Sequence, residues 1–247
     1  MELVSFVTEI ITPPKDESFL EKIKKSELTL QDHDVVAISS KIVSIWQGRC
    51  VPHARDQKDE LIKKEADWYL ERDQSPEGAV IHTIKNNVLL PGAGVDPFGG
   101  WYVLLPEKPK ETAEELLAWF KKTYRMEHLY LVITDSKSAP LRRGVVGYAV
   151  SWAGFEPLFD NRHRKDLLGH ESGGSQVNVP DSIAAAAVLA MGEANEQTPL
   201  VRMRGVPYVS EKRAKREARF NEYLVSKEED IYAPLLKAPW KKGTSGK

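Results

Sequence analysis

Short β-rich runs alternate with amphipathic helix patterns along the whole chain, and this alternation leaves few folds open. β-branched residues dominate runs such as 34–46 and 128–134, whereas charged segments with spaced apolar residues, such as 112–120, predict helices. Many of the predicted strands are short and end at turn residues, which is typical of hairpins. The pattern therefore predicts an α+β fold with mixed or antiparallel sheets and packed helices, rather than a doubly wound parallel sheet.

Individual elements follow from the same patterns. Residues 34–46 predict a buried strand, or a strand that passes through a Ser-Ser-Lys kink into a second extended piece. Residues 56–72 predict a surface helix, and Thr112 is the expected cap of the next helix. An alanine-rich helix is expected to begin with Asp181 as its N-cap and to stop at Gly192.

Composition restricts the classes of function. The 247 residues include 35 basic and 36 acidic side chains, and this net charge of −1 argues against nucleic acid or an anionic membrane as a partner. Cys50 is the only cysteine, which excludes an intrachain disulfide and a cysteine-based zinc site. With no signal-peptide pattern and no apolar run near the roughly 20 residues of a membrane helix, we expect a cytoplasmic protein.

The same length allows one or two domains. We expect a core of α+β structure over residues 1–210. Residues 211–247 are rich in charge and end in a Lys/Gly/Ser tail, and they predict a C-terminal helical segment that packs on this core.

Three acidic residues directly follow apolar elements: Asp96 in GAGVD, Asp135 in VITDS and Glu193 in AMGE. Carboxylates are the oxygen ligands that Mg²⁺ and Mn²⁺ prefer, and the Ser136 hydroxyl could complete a shell. Glu193 also follows a predicted helix end, where a cation is favoured. Alternatively, Asp96 caps a turn, Asp135 ends a strand and Glu193 is solvated, and from spacing alone this is the simpler interpretation.

Two arginines, Arg142 and Arg143, follow Asp135 within eight residues. A guanidinium can donate two parallel hydrogen bonds to a carboxylate or phosphate, so the pair could bind an anionic substrate near a metal ligand. An ordinary solvated loop is the alternative.

Taken in order, the motifs resemble the coenzyme F420-0:L-glutamate ligase family, whose members add glutamate to a deazaflavin cofactor. The resemblance covers most of the chain. It is carried by DVVAISSKIVSIWQGR (34–49), GAGVD (92–96), LVITDS (131–136), LRRGVVGYAVSWAGF (141–155), RKDLLG (164–169) and DSIAAAAVLAMGE (181–193).

The resemblance implies a γ-glutamyl-ligase-like fold of two intertwined lobes, a homodimer, and a site with two divalent cations and a nucleotide. By position it implies that the metal ligands are Asp96, Asp135, Ser136 and Glu193. It also implies nucleotide contacts from a second set of residues, namely Ser39, Ser40, Lys41, Gly99, Gly192 and Glu193. Charge that develops during phosphoryl transfer would be stabilised by Arg142, Arg143 or Lys41.

The chain departs from the family pattern where the family contacts the nucleotide. A Glu-Gly-Leu-Pro loop is replaced by Glu9-Ile10-Ile11-Thr12, a lysine by Ile45, and an asparagine near the metal aspartate by Gly99. If residues 34–46 are an extended strand, the side chains of Lys41 and Ile45 point to the same face of that strand. The predicted metal ligands are retained.

We therefore predict a ligase that adds L-glutamate to a carboxylate acceptor, either deazaflavin coenzyme F420-0 or a related cofactor, through an acyl phosphate. Mg²⁺ or Mn²⁺ would be its cofactor, two per site, and GTP or ATP its co-substrate. One alternative is a glutamyl ligase for a folate-like or peptide acceptor. Another is a non-catalytic relative that binds nucleotide or cofactor as a sensor or scaffold.

Overall fold

A computed structural model describes residues 1–54, 57–162, 164–170, 175–209 and 223–245. The helices are α1 (Phe19–Lys24), α2 (Ser40–Gln47), α3 (Lys58–Glu65), α4 (Pro109–Tyr124) and α5 (Val179–Met191). The first seven strands are β1 (Glu2–Phe6), β2 (Val35–Ser39), β3 (Cys50–Pro52), β4 (Trp68–Tyr69), β5 (His82–Lys85), β6 (Val88–Pro91) and β7 (Asp96–Phe98). The other seven are β8 (Trp101–Val103), β9 (Tyr130–Ser138), β10 (Val145–Ala153), β11 (Leu158–Asp160), β12 (Gln176–Asn178), β13 (Leu200–Arg204) and β14 (Lys241–Lys242).

The main sheet has five strands in the order β1-β13-β2-β9-β10. Only β2 and β9 run parallel within it, while the other neighbours are antiparallel. Three smaller antiparallel sheets accompany it, in the orders β14-β4-β5-β6, β3-β8-β7 and β11-β12. The prediction of an α+β fold with mixed and antiparallel sheets is confirmed.

Both faces of the main sheet are covered, because alternate residues of each central strand point to opposite sides. Val36 and Ile38 of β2 pack in one core with α1, α2 and α4. Val35 and Ala37 face the other side and pack against the alanine-rich helix α5. A third, smaller core lies between α3 and the small sheets, and it includes Val95 and Tyr102.

The extended interpretation of residues 34–46 is wrong in its second half. Strand β2 ends at Ser39, and helix α2 begins at Ser40. Ile42, Val43 and Ile45 are buried in the core, so packing outweighs the weak helix propensity of β-branched residues. Gly48 ends the helix in the left-handed conformation, at φ 72°.

Three other local predictions need correction. The surface helix predicted over 56–72 spans only Lys58–Glu65 and is followed by β4. Thr112 lies inside α4, where its hydroxyl donates to the Lys108 carbonyl instead of capping the helix. The N-cap of α5 is Asn178, whose side chain accepts from the backbone N–H of Asp181.

The C-terminal prediction falls partly on residues 210–222, which lie outside the described residues. Residues 227–229 and 231–236 form turns, and β14 then pairs with β4. The side chain of Asn87 donates to the Val225 carbonyl at 3.1 Å. Among the described residues, no helix is both long and apolar enough to cross a membrane.

Candidate active site

The parallel pairing of β2 and β9 brings Ser40 next to Asp135. Ser39 lies beside Thr134 in the register, where β2 ends and the chain turns into α2, while β9 continues through Asp135. Ser40 donates its hydroxyl to Oδ2 of Asp135 at 2.8 Å. The backbone N–H of Ser136 donates to Oδ1 at 2.7 Å. Both carboxylate oxygens are therefore held in a fixed orientation.

A second carboxylate, Asp96, reaches this edge from β7. The preceding Val95 is buried in the third core, which anchors the chain while Asp96 faces outward. Lys41 places its Nζ 3.8 Å from Oδ2 of Asp96 and 5.9 Å from the centre of the Phe98 ring. This exposed pair contributes little to stability, but it places a cation beside the two aspartates.

The carboxyl group of Asp135 has a perturbed pKa. Burial raises the pKa of Asp135 to about 6, against the lowering effect of the Ser40 hydrogen bond. The charge of Asp96 raises this pKa further, and Lys41 only partly offsets it. A carboxyl group perturbed in this way is typical of functional sites.

Ser136 points to the opposite face of β9, toward α5. Its partner in the register is Gly147, and a Cβ there would lie 2.4 Å from the Ala184 carbonyl oxygen. The missing side chain therefore lets α5 pack directly on the strand. Helix α5 ends at Met191, and Oε2 of Glu193 then accepts from the Ser136 hydroxyl at 3.1 Å.

These residues form two pairs of oxygen donors, Asp96 with Asp135 and Ser136 with Glu193. Within the described ranges, no three His, Cys, Asp or Glu side chains are grouped closely enough to hold one ion by themselves. Mg²⁺ needs no such group, because it keeps several waters and is bound through one or two carboxylates and substrate phosphates. The hard oxygen donors and the carboxylate charge of each pair therefore fit one divalent cation at each pair.

The predicted nucleotide residues surround the same edge. Ser39 precedes the first turn of α2, and Ser40 and Lys41 lie within that turn. Gly99 follows β7, and a Cβ added there would be 3.2 Å from Pro13, so the N-terminal loop passes close by. Gly192 joins α5 to Glu193 with φ 79°.

Ile45 is fully buried and cannot contact a ligand, whereas Lys41 lies one helical turn earlier and is partly exposed. The position at which the resemblance implies a lysine is therefore a core position in this chain, and Lys41 is the lysine that lies beside Asp96.

Arg142 and Arg143 lie in the turn between β9 and β10, where residues 141–146 are all exposed. The last paired residues of this hairpin are Ser138 and Val145, three residues beyond Asp135 along β9. The turn that carries the two arginines therefore lies beyond Asp135 along the hairpin.

Sequence reasoning missed Lys137 and Tyr148. Strand alternation places Lys137 on the same face as Asp135, and the register places Tyr148 directly opposite Asp135. The Nζ of Lys137 lies 5.7 Å from the centre of the Tyr148 ring. The period-two pattern of residues 133–137 could have identified the lysine, but the tyrosine required the register of the hairpin.

Comparison with known proteins gives one family. Residues 8–205 match the family model described as F420-0:Gamma-glutamyl ligase. This range includes the four oxygen-donor residues and four of the five strands of the main sheet, all but β1.

Curated relatives carry the name coenzyme F420:L-glutamate ligase. The protein of Methanopyrus kandleri is 32% identical over 197 residues, covering 72% of this chain and 77% of its own length. That of Methanothermobacter thermautotrophicus is 30% identical over 196 residues, with the same coverage. That of Methanococcus maripaludis strain S2 is 28% identical and covers 94% of this chain and 97% of its own length.

Proposed function

This chain belongs to the F420-0:gamma-glutamyl ligase family, and from that membership and the site geometry we propose that it joins L-glutamate to a carboxylate acceptor. The relatives' names suggest a deazaflavin of the F420 type as the acceptor. GTP or ATP would activate the acceptor carboxylate as an acyl phosphate, and the glutamate amine would then displace phosphate to form the amide.

One observation carries the proposal. Four oxygen-donor residues from three separate segments lie around residues 135–136 of β9, beside the start of α2: Asp96 and Asp135 on one face of the strand, and Ser136 with Glu193 on the other. Each of them lies within the family match. The pKa of Asp135 is raised first by burial and then by the charge of Asp96, and such perturbed carboxyl groups are typical of functional sites.

Different residues would bind the metal ions, bind phosphate and orient a metal ligand. Asp96 and Asp135 would hold one Mg²⁺ or Mn²⁺ and Ser136 with Glu193 another, and these cations would neutralise phosphate charge. The N–H groups of the first turn of α2, which have no partner within the helix, would bind phosphate oxygens together with Lys41. Ser40 would keep Asp135 oriented through its hydrogen bond.

We propose that the protein works as a homodimer in which the β9–β10 hairpin contacts a second copy. Leu141 is 99% exposed at its tip, and Val145 and Val146 are also exposed. Leu189 on the outer face of α5 and Leu168 add further exposed apolar surface. Such surface is typical of protein interfaces, and the hairpin also carries Arg142 and Arg143 as the proposed charge-stabilising residues.

Turnover tests the proposal. The full chain is incubated with GTP or ATP, Mg²⁺, L-glutamate and a panel of acceptors, which includes a deazaflavin with a terminal carboxylate, a folate and a short peptide. Mass spectrometry should find at least one glutamyl unit added to an acceptor, with one phosphate released per amide. The acceptor that gains mass identifies the substrate class. Phosphate release without an adduct would contradict the ligase.

The burial of Ile45 favours a second candidate, a relative that binds its ligands without turnover. The resemblance implies a nucleotide-contacting lysine at this position, and the buried side chain of Ile45 cannot make that contact. Binding of GTP or a deazaflavin by calorimetry, with neither an adduct nor phosphate release over the whole panel, would support this candidate against the ligase.

A further inference from the structure

Phe98 has an exposed aromatic ring beside one of the proposed metal ligands. The residue is 38% exposed, whereas the other phenylalanines that the structure describes are buried or half-buried. Asp96 and Phe98 are the first and last residues of β7, so strand alternation directs both side chains to the same face. The ring therefore lies on the face of the small sheet that carries Asp96.

Lys41 lies next to both of these side chains. Its Nζ is 5.9 Å from the centre of the Phe98 ring and 3.8 Å from Oδ2 of Asp96. A cation within about 6 Å of the centre of an aromatic ring is attracted to the face of that ring. The aromatic ring, the ammonium group and the carboxylate are thus neighbours at the beginning of α2, where we propose that phosphate binds.

A two-residue turn holds the ring in place. Gly99 and Gly100 join β7 to β8, and both have positive φ, 57° and 81°. A type I′ hairpin turn needs positive φ at both central residues, which glycine adopts without strain. The register places Trp101 directly opposite Phe98, so a second aromatic side chain is its cross-strand neighbour.

The chemistry of this place restricts what Phe98 can bind. A phenyl ring has no hydrogen-bonding group, so it contributes to binding through apolar contact and through stacking on another ring. Lys41 and Asp96 beside it make the surroundings too polar for a ligand that is only apolar. A flat heterocycle that carries phosphate or carboxylate groups matches both the ring and the charges.

We propose that Phe98 binds the planar heterocycle of one substrate by stacking on it. The inference rests on the proposed ligase function, in which two substrates carry both a planar ring and an anionic group. These are the nucleotide, through its base, and a deazaflavin acceptor, through its fused rings. L-Glutamate has no ring, so its binding does not depend on Phe98.

Titration calorimetry of full-length variants identifies the ring that binds. The probes are GTP and ATP with Mg²⁺, and a deazaflavin with a terminal carboxylate. Phe98→Leu keeps the apolar volume but removes the flat ring, and should weaken binding of either the nucleotides or the deazaflavin roughly tenfold. Phe98→Tyr keeps the ring and should bind the same probe within about threefold of the wild type.

A ligand without a ring and a variant outside the site are the controls. Phe98→Leu should bind tripolyphosphate as the wild type does. Tyr232→Ala removes an aromatic residue that is 60% exposed in the C-terminal turns, and it should bind every probe as the wild type does. Equal weakening of GTP and tripolyphosphate in Phe98→Leu would show an effect on phosphate through Lys41, and the stacking inference would be wrong.

The result for Phe98 is separable from the result for the ligase. If the wild type forms no adduct, the ligase proposal fails, while calorimetry still tests the stacking. If Phe98→Leu binds every ring-bearing probe as the wild type does, or the wild type binds none, the stacking inference is overturned, whether or not adducts form. Thermal unfolding confirms that each variant is folded, and Phe98→Thr, which suits a strand, is a second variant without a ring.

Discussion

Ser40 and Asp135, separated by 95 residues in sequence, are joined by a 2.8 Å hydrogen bond from the serine hydroxyl to Oδ2 of the carboxylate. The contact exists because β2 pairs in parallel with β9 and ends beside Thr134, the residue before Asp135. It fixes one proposed metal ligand against the first turn of the helix that we expect to bind phosphate.

Removal of this hydroxyl is expected to weaken metal binding. Ser40→Ala frees Asp135 to rotate and removes an interaction that lowers its pKa, so the carboxylate becomes both less oriented and easier to protonate. We expect Mn²⁺ affinity at pH 7 to fall roughly tenfold in titration calorimetry.

Ser44→Ala is the matched control. Ser44 lies one turn later in α2, is fully buried and has a hydroxyl without a partner among the described residues. Equal losses in the two variants would show that a general change in α2, and not the Asp135 contact, is responsible.

The metal-free protein should be less stable at pH 7 than at pH 4 through Asp135. The folded pKa of this group is about 6 against a reference of 3.8, so its stabilising contribution is complete below the reference value. That contribution is lost as the pH rises toward 6 and does not return above it.

Asp135→Asn removes the cost of ionising this buried carboxyl group. The variant should gain roughly 1–3 kcal/mol in free energy of unfolding relative to the wild type at pH 7, but not at pH 4. Urea unfolding in the presence of a chelator measures the difference. A variant that is less stable than the wild type at pH 7 would contradict the predicted cost of the buried charge.

Gly147→Ala is expected to separate α5 from β10. The new Cβ would lie 2.4 Å from the Ala184 carbonyl oxygen and 2.8 Å from Cβ of Val188, so the helix has to move. We expect a loss of about 3 kcal/mol in stability by urea unfolding. Val145→Ala, at an exposed position of the same strand, should cost much less. A Gly147→Ala variant as stable as Val145→Ala would refute the close packing.

Asp16 is expected to stabilise the fold at neutral pH. Burial raises the pKa of Asp16, but hydrogen bonds from Lys22, Ser18 and the Thr12 backbone outweigh it and lower the pKa to about 2. This depressed pKa contributes stability above pH 3.8, and the contribution is lost as the pH falls through 2.

Asp16→Asn should therefore reduce the free energy of unfolding by about 1–2 kcal/mol at pH 7, and by less at pH 2. Glu17→Gln, whose side chain is 84% exposed, is the control and should have little effect. A constant difference between wild type and Asp16→Asn at both pH values would exclude the charged interactions as its source.

The sequence predicted the fold class and the order of most elements, because alternation and helical periodicity report burial directly. It failed where packing overrides local preference. Residues 40–47 are rich in β-branched side chains, yet they form α2 because Ile42, Val43 and Ile45 complete a core on one helical face.

The sequence pattern alone did not decide whether the acidic residues bind a metal or have an ordinary structural role. Only the resemblance to the family identified the four oxygen donors as metal ligands. Their pairing depends on contacts between distant segments: the β2–β9 register joins Ser40 to Asp135, and the glycine at 147 lets α5 bring Glu193 to Ser136. No spacing within a single motif encodes such contacts.

Mn²⁺ titration calorimetry of the wild type and Asp135→Asn tests the central claim most directly, with Glu114→Gln on the exposed face of α4 as the control. The account predicts that the wild type and the control bind Mn²⁺ alike, and that Asp135→Asn loses at least one binding event or at least about tenfold in affinity. Unchanged Mn²⁺ affinity and stoichiometry in Asp135→Asn would show that this edge of the sheet is not a metal site.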